Sequence, residues 1–132
     1  MKEHSAGAVV YTENPRRYLI LHYQGGHWSF PKGKLEKRER PLETARRETK
    51  EETGIDIEFV PGFKQEVKYF FRRGKETVDK KVDFYLAKAL STQIELSFEH
   101  IGYRWLKADD AIKQLTFEND REILEKAEEY LN

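Results

Sequence analysis

The stretch GKLEKRERPLETARRETKEETGI, Gly33 to Ile55, constrains this 132-residue chain more than any other. Its second half reads as one helix. Pro41 suits the first helical position, where a missing N–H costs nothing. Leu42 and Ala45 offer a small apolar stripe, and Gly54 can turn left-handed to end the helix. Positions i, i+3 and i+4 of a helix share a face, so Glu48, Glu51 and Glu52 crowd onto one turn. Like charges at that spacing cost about 0.2–0.5 kcal/mol per pair. On their own the three glutamates read as a solvated face in a charge-rich chain. A hard divalent cation would offset the repulsion, and an oxygen-only donor set suits Mg²⁺ or Mn²⁺. Arg47 lies beside them and can fix the orientation of a carboxylate.

The length predicts a single domain over residues 1–132 with a real core. There are no cysteines, which excludes disulfides, a thiol nucleophile and Cys-ligated zinc. No apolar run approaches the length of a membrane span, and MKEHSAGAVVYTE lacks the basic-then-apolar pattern of a signal peptide. A cytoplasmic protein with no membrane partner is expected. Lys and Arg together number 24, as do Asp and Glu, for a formal net charge of zero. That balance argues against a general polyanion-binding protein, so nucleic acid is not the expected partner, although a local basic patch stays open. Nothing in the sequence fixes an oligomeric state.

Taken in order, Ser5 to Tyr11 reads as a strand, Glu13-Asn14-Pro15 as a turn, and Tyr18 to Tyr23 as a buried strand. Gln24-Gly25-Gly26 is a loop, and HWSFPK brings aromatics up to Gly33. Gly33 to Arg40 is expected to be loop. Ile57 to Val60, Phe63 to Phe71 and Val78 to Ala89 read as strands, the last two joined around Arg72-Arg73-Gly74-Lys75. Gly102 to Leu106 is another strand. Lys107 to Leu115 reads as a short helix, and a longer one follows with Thr116 as a candidate cap. Leu124, Ala127 and Leu131 give that last helix a core-facing stripe. Strands around one central helix, closed by C-terminal helices, predict an α/β sandwich with a mixed sheet.

The wider spacing of the central stretch resembles the Nudix box. Gly33, five residues, Glu39, seven residues, Arg47-Glu48, then Glu51-Glu52 and Gly54-Ile55 match every fixed position, with Thr49 where an aliphatic residue is usual. The resemblance implies the Nudix fold, an α/β/α sandwich, with its box at 33–55. It also implies divalent-metal hydrolysis of nucleoside diphosphates linked to another moiety. HWSFPKGKLE, LETARRETKEETGI, GFKQEVKYF and LSFEHIGYRWL further resemble the asymmetrical diadenosine tetraphosphate hydrolases, a subgroup in which Thr49 is no anomaly. Many family members carry Glu-Pro-Gly-Glu where this chain has Glu36-Lys37-Arg38-Glu39, so the turn at Arg38 is expected to differ.

The resemblance assigns Glu48 and Glu52 as principal metal ligands and Glu51 as a further ligand or base. The Gly33 carbonyl becomes a metal contact, Glu39 a support to the metal, and Arg47 a partner of the carboxylates. Glu99 matches a downstream acid that reaches the metal site in many relatives, and reads equally as a loop glutamate. Lys32 is a candidate phosphate contact. His27, Tyr69, Tyr85 and Tyr103 are candidates to stack on a base, each of which also reads as core packing. Trp28, Phe30 and Trp105 are assigned to the core. The expected reaction is Mg²⁺-dependent hydrolysis of a dinucleoside polyphosphate, diadenosine tetraphosphate giving ATP and AMP. The alternatives are an oxidised nucleoside triphosphate, an RNA 5′ end, an inositol pyrophosphate, or a nucleotide-sensing module that no longer catalyses.

Overall fold

The computed structural model describes residues 1–132. Its strands are β1 (Lys2–Thr12), β2 (Arg17–Tyr23), β3 (Trp28–Ser29), β4 (Lys32–Lys34), β5 (Ile57–Arg73), β6 (Glu76–Ala89) and β7 (His100–Leu106). Its helices are α1 (Pro41–Thr53), α2 (Ala108–Gln114) and α3 (Glu118–Leu131). All seven strands join one mixed sheet in the order β3-β2-β1-β6-β5, with β4 also on β1 and β7 also on β2. β1 and β6 run parallel, while every other pairing is antiparallel. The expected mixed-sheet sandwich is what the chain forms.

Alternation along the strands separates two apolar layers. Val9, Ile20, Phe30, Phe84 and Leu86 pack under α2 and α3, which contribute Ala111, Leu115, Ile123, Leu124 and Ala127. Ala8, Val10, Leu19, Leu21 and Ala87 form the opposite layer with Ile55 and Ile57, the residues that follow α1. The stripe on α3 therefore works as predicted, with Leu131 packed at its end. No helix is long and apolar enough to cross a membrane.

Helix α1 begins at Pro41 and ends in Gly54, whose φ of 77° is left-handed. At its start the Glu43 carboxylate accepts a hydrogen bond from the Arg40 N–H at 3.0 Å. Its buried residues are Thr44, Ala45, Thr49, Glu52 and Thr53. The expected Leu42–Ala45 stripe is only half right, because Leu42 is 42% exposed. The helix lies against β1, where Ala6 and Ala8 are small enough to let it approach.

Four other expectations change. Lys32 to Lys34 is a short strand paired to Ser5–Gly7, so the loop begins only after it. Arg38 takes a φ of 68°, the left-handed turn a glycine would supply, so the side chain changes and the turn stays. The strands at Ile57 and Phe63 merge into β5, with an irregularity between Phe59 and Lys64. That kink is held by Tyr130, whose hydroxyl donates to the Pro61 carbonyl at 2.6 Å. Thr116 does not cap α3, which starts after Phe117. Its hydroxyl instead accepts from the Trp28 N–H at 2.8 Å, tying the loop to β3.

Candidate active site

The carboxylates of α1 meet β4 at the edge of the sheet. Gly33 pairs with Ala6 and faces α1. A Cβ at Gly33 would run into the Glu48 carboxylate, so only glycine lets the helix carry that side chain across the strand. Glu52 is one turn further along and is 4% exposed. Its Oε1 lies 3.4 Å from the Tyr23 hydroxyl, which itself donates to the Phe30 carbonyl at 2.6 Å. The same oxygen is 3.1 Å from His100 Nε2, in contact but out of hydrogen-bonding line. Glu52 Oε2 is buried with no partner at all.

Burial pushes the Glu52 carboxyl up to about 8. Burial, with the neighbouring Glu52 charge second, pushes Glu48 up to about 7. Glu52, buried with an orphaned oxygen, and the half-buried Glu48 beside it both resist ionisation, and their charged forms are costly unless a further positive charge joins them. The donor set is oxygen-only, so it fits a hard divalent cation, with the Gly33 carbonyl beside it.

Arg47 organises the remaining acids. Its Nε and Nη2 grip both oxygens of Glu39, at 2.7 and 2.9 Å. Its Nη1 donates to Glu48 at 3.0 Å and to Glu51 at 3.2 Å, and its Nη2 to the Lys34 carbonyl at 3.0 Å. The guanidinium holds Glu39 down to about 2. Thr44 also donates to Glu39 at 2.6 Å. Glu51 is thus drawn outward, and no three acidic or imidazole side chains close on one point. Glu39 is gripped by Arg47 and Thr44, which fixes it beside the guanidinium that also meets Glu48 and Glu51.

The segment before β7 reaches the same place. Between β6 and β7 there is no regular structure, but Glu95 N–H bonds to the Thr53 carbonyl and Ser97 N–H to the Glu52 carbonyl. Free carbonyls at the end of α1 are thereby satisfied. Ser97 Oγ is 3.0 Å from His100 Nδ1, and burial lowers the pKa of that imidazole. Glu99 stands between them, and its charge adds to the upward push on Glu52.

On the other face of the sheet, next to β4, lies a cleft of about 300 Å³ lined by Lys32, Val67, Tyr69, Phe84, Phe117 and Asp120. Lys32 and Tyr69 are therefore brought together at its wall. His27 stacks on Tyr23 at 4.6 Å and lies 5.5 Å from Phe117, at the rim. Tyr85 is on the opposite face of the sheet, edge-on to Phe59 at 5.9 Å. Tyr103 pairs with Leu21 on the α1 side and is 41% exposed. Neither tyrosine lines the cleft. Phe30 is fully buried; Trp28 and Trp105 are half-buried against the two cores.

Three contributors escape a reading by residue type. Tyr23 and His100 enclose Glu52, although Glu99-His100 stood in the stretch already marked. Asp120 is buried in the cleft wall, accepting from Ser29 Oγ at 2.6 Å, and burial raises its pKa. Its signal was the Asn-Asp pair in the first turn of α3.

Residues 1–127 match the family model described as NUDIX domain. The chain is 38% identical over 121 residues to the asymmetrical bis(5′-nucleosyl)-tetraphosphatase of Rattus norvegicus, covering 86% of this chain and 80% of that one. It is 31% identical over 134 residues to the protein of that name from Caenorhabditis elegans, covering 96% and 95%. The crystal structure of a C. elegans Ap4A hydrolase binary complex superposes with a TM-score of 0.85 at 28% identity, covering 98% of this chain and 97% of that one.

Proposed function

The chain belongs to the Nudix hydrolase family, and on that premise we propose that it hydrolyses dinucleoside polyphosphates, splitting diadenosine tetraphosphate into ATP and AMP with Mg²⁺, or Mn²⁺, as cofactor. The observation that carries the reading is the pairing of half-buried Glu48 with buried Glu52, whose one oxygen is orphaned, set against Gly33. Glu48, Glu52 and the Gly33 carbonyl would hold the metal, with Glu51 and Glu99 in reserve at its open side. When bound, the metal neutralises phosphate charge and makes a water easier to deprotonate.

The protein's own groups supply the rest. Tyr69 offers a ring face to one nucleobase in the cleft, where stacking contributes about 1–3 kcal/mol. Lys32 stands between that cleft and β4, placed to meet the phosphate chain as it crosses toward Glu48. Arg47 keeps Glu39, Glu48 and Glu51 in fixed relation, which positions the Glu48–Glu52 pair. Water attacks one phosphorus, the anhydride oxygen leaves with its electron pair, and a site carboxylate takes the proton.

Product analysis tests this reading. Purified protein with Mg²⁺ is offered diadenosine tetraphosphate, 8-oxo-dGTP and an inositol pyrophosphate, and the products are separated by anion exchange. ATP plus AMP, formed faster than any other product, is the expected result. Faster turnover of either competitor would reassign the substrate, and no metal-dependent phosphate release from any would leave a binding module.

A further inference from the structure

The turn that leads into β7 buries a side chain that the carboxylate site alone does not account for. The His100 side chain is 0% exposed, and a buried imidazole needs a partner for each ring nitrogen. Three contacts fix its place. Its Nδ1 lies 3.0 Å from Ser97 Oγ. Its backbone N–H donates to the Ser97 carbonyl at 3.2 Å, closing the turn around Phe98-Glu99. The Tyr23 ring meets it edge-on at 4.4 Å. The other ring nitrogen, Nε2, is 3.1 Å from Glu52 Oε1 and has no hydrogen-bond partner. Angle rather than distance separates this contact from a hydrogen bond, and site contacts of this kind tighten once a ligand is in place.

Ser97 has a second hold on the same glutamate, because its N–H bonds to the Glu52 carbonyl at 3.1 Å. Backbone and carboxylate of Glu52 are thus both reached from one short stretch, Ser97 to His100. Counting protons fixes the direction of these bonds. A glutamate that holds a cation is ionised, and an ionised carboxylate only accepts. Tyr23 has one hydroxyl proton and gives it to the Phe30 carbonyl at 2.6 Å, against 3.4 Å to Glu52 Oε1. His100 Nε2 is the side-chain donor left for Oε1. With the ring proton on Nε2, Nδ1 presents a lone pair, and the Ser97 hydroxyl donates to it. The reverse arrangement would set two lone pairs against each other in a buried place.

We propose that His100, oriented by Ser97, is the positioning residue of Glu52: its Nε2–H holds Oε1 and leaves Oε2, the oxygen with no partner, to meet a divalent cation. The inference rests on the reading of Glu48 and Glu52 as a cation site. Ser97 and His100 act through Glu52, so their effect belongs to metal affinity, where partners of this kind are worth about 10–100-fold.

The test follows Mn²⁺ binding to the protein without nucleotide by electron paramagnetic resonance, which needs no turnover. Two substitutions separate reach from bulk. The amide of His100→Gln can stand where Nε2 stands, while that of His100→Asn stops at the place of Nδ1. His100→Asn should weaken Mn²⁺ binding by about 10–100-fold, and His100→Gln should stay within about threefold of the unaltered protein. Ser97→Ala keeps the backbone bond to Glu52 but leaves the imidazole undirected. It should weaken Mn²⁺ by about tenfold, and Ser97→Thr should restore it. KM for diadenosine tetraphosphate at saturating Mg²⁺ should stay unchanged in all four. Equal losses in His100→Asn and His100→Gln, or Ser97→Ala protein that binds Mn²⁺ normally, overturn the proposal. Nitrogen-15 NMR of the Mg²⁺-loaded protein gives a measurement that depends on no variant folding. His100 should show the Nε2–H tautomer, and the Nδ1–H tautomer would overturn the proposal. Unaltered protein that binds no Mn²⁺, or Glu52→Gln protein that binds it equally well, removes the cation site itself and this inference with it. Normal Mn²⁺ binding that ignores Ser97 and His100 removes the positioning role alone.

Discussion

Glu52 is the residue whose chemistry is most exposed to test. Its carboxyl is buried beside Tyr23 and His100, with one oxygen unpartnered. Glu52→Gln keeps the shape and removes the charge. Turnover should fall by about two to four orders of magnitude, the usual scale for losing a group that handles a proton or a metal. The melting temperature without metal should hold or rise, because a buried acid has gone; a variant of near-normal activity would sink the assignment. Arg47 makes a second case. Lysine keeps its charge but cannot grip both oxygens of Glu39 while also touching Glu48 and Glu51. Arg47→Lys should raise the Mg²⁺ concentration needed for half-maximal rate by about 10–100-fold, read from a metal titration of activity. At this scale the sequence was informative where spacing sets the neighbours: Arg47 and its glutamates lie within thirteen positions of one another. It was silent about Tyr23 and His100, which reach Glu52 only through the fold.

Helix α1 shows what an element adds to its residues. Its start and stop were legible because Pro41 and Gly54 act locally. Gly54→Ala places a Cβ on a left-handed residue and 3.3 Å from the Glu95 Cβ. The variant should lose about 1–2 kcal/mol in urea unfolding, with kcat little changed. Which face α1 buries was harder to read, since Ala45 packs as expected but Thr44, Thr49 and Thr53, not Leu42, fill the rest of that face. β5 was misdivided for a related reason. Pro61-Gly62 looks like a break, and only the pairing with β6 on both sides of it, Phe59 with Ala87 and Lys64 with Tyr85, makes one strand of the two. Thr116 looked like a cap because residue type cannot reveal a competing partner on β3.

The whole molecule couples charge at the site to its stability. Glu48 and Glu52 keep their protons up to about 7 and about 8 in the folded chain, whereas the unfolded chain loses them near 4.5. Between those values the folded state binds more protons, so stability falls as pH rises. Metal-free protein should therefore melt at a lower temperature at pH 8 than at pH 5, and Mg²⁺ should raise the melting temperature more at pH 8. Equal shifts at both values would mean that the ion does not meet these two acids. Sheet order was not legible, because strand patterns do not say which strands are neighbours. Two pairings are the least local, that of β2 with β7 and that of β1 with β6, the latter in parallel from Lys2 against Asp79 to Tyr11 against Lys88. A strand emerging early from the ribosome must then wait for one made much later. Pairings so distant along the chain slow folding, so the apolar side of β1 spends part of synthesis uncovered, in the charge of whatever chaperone meets it.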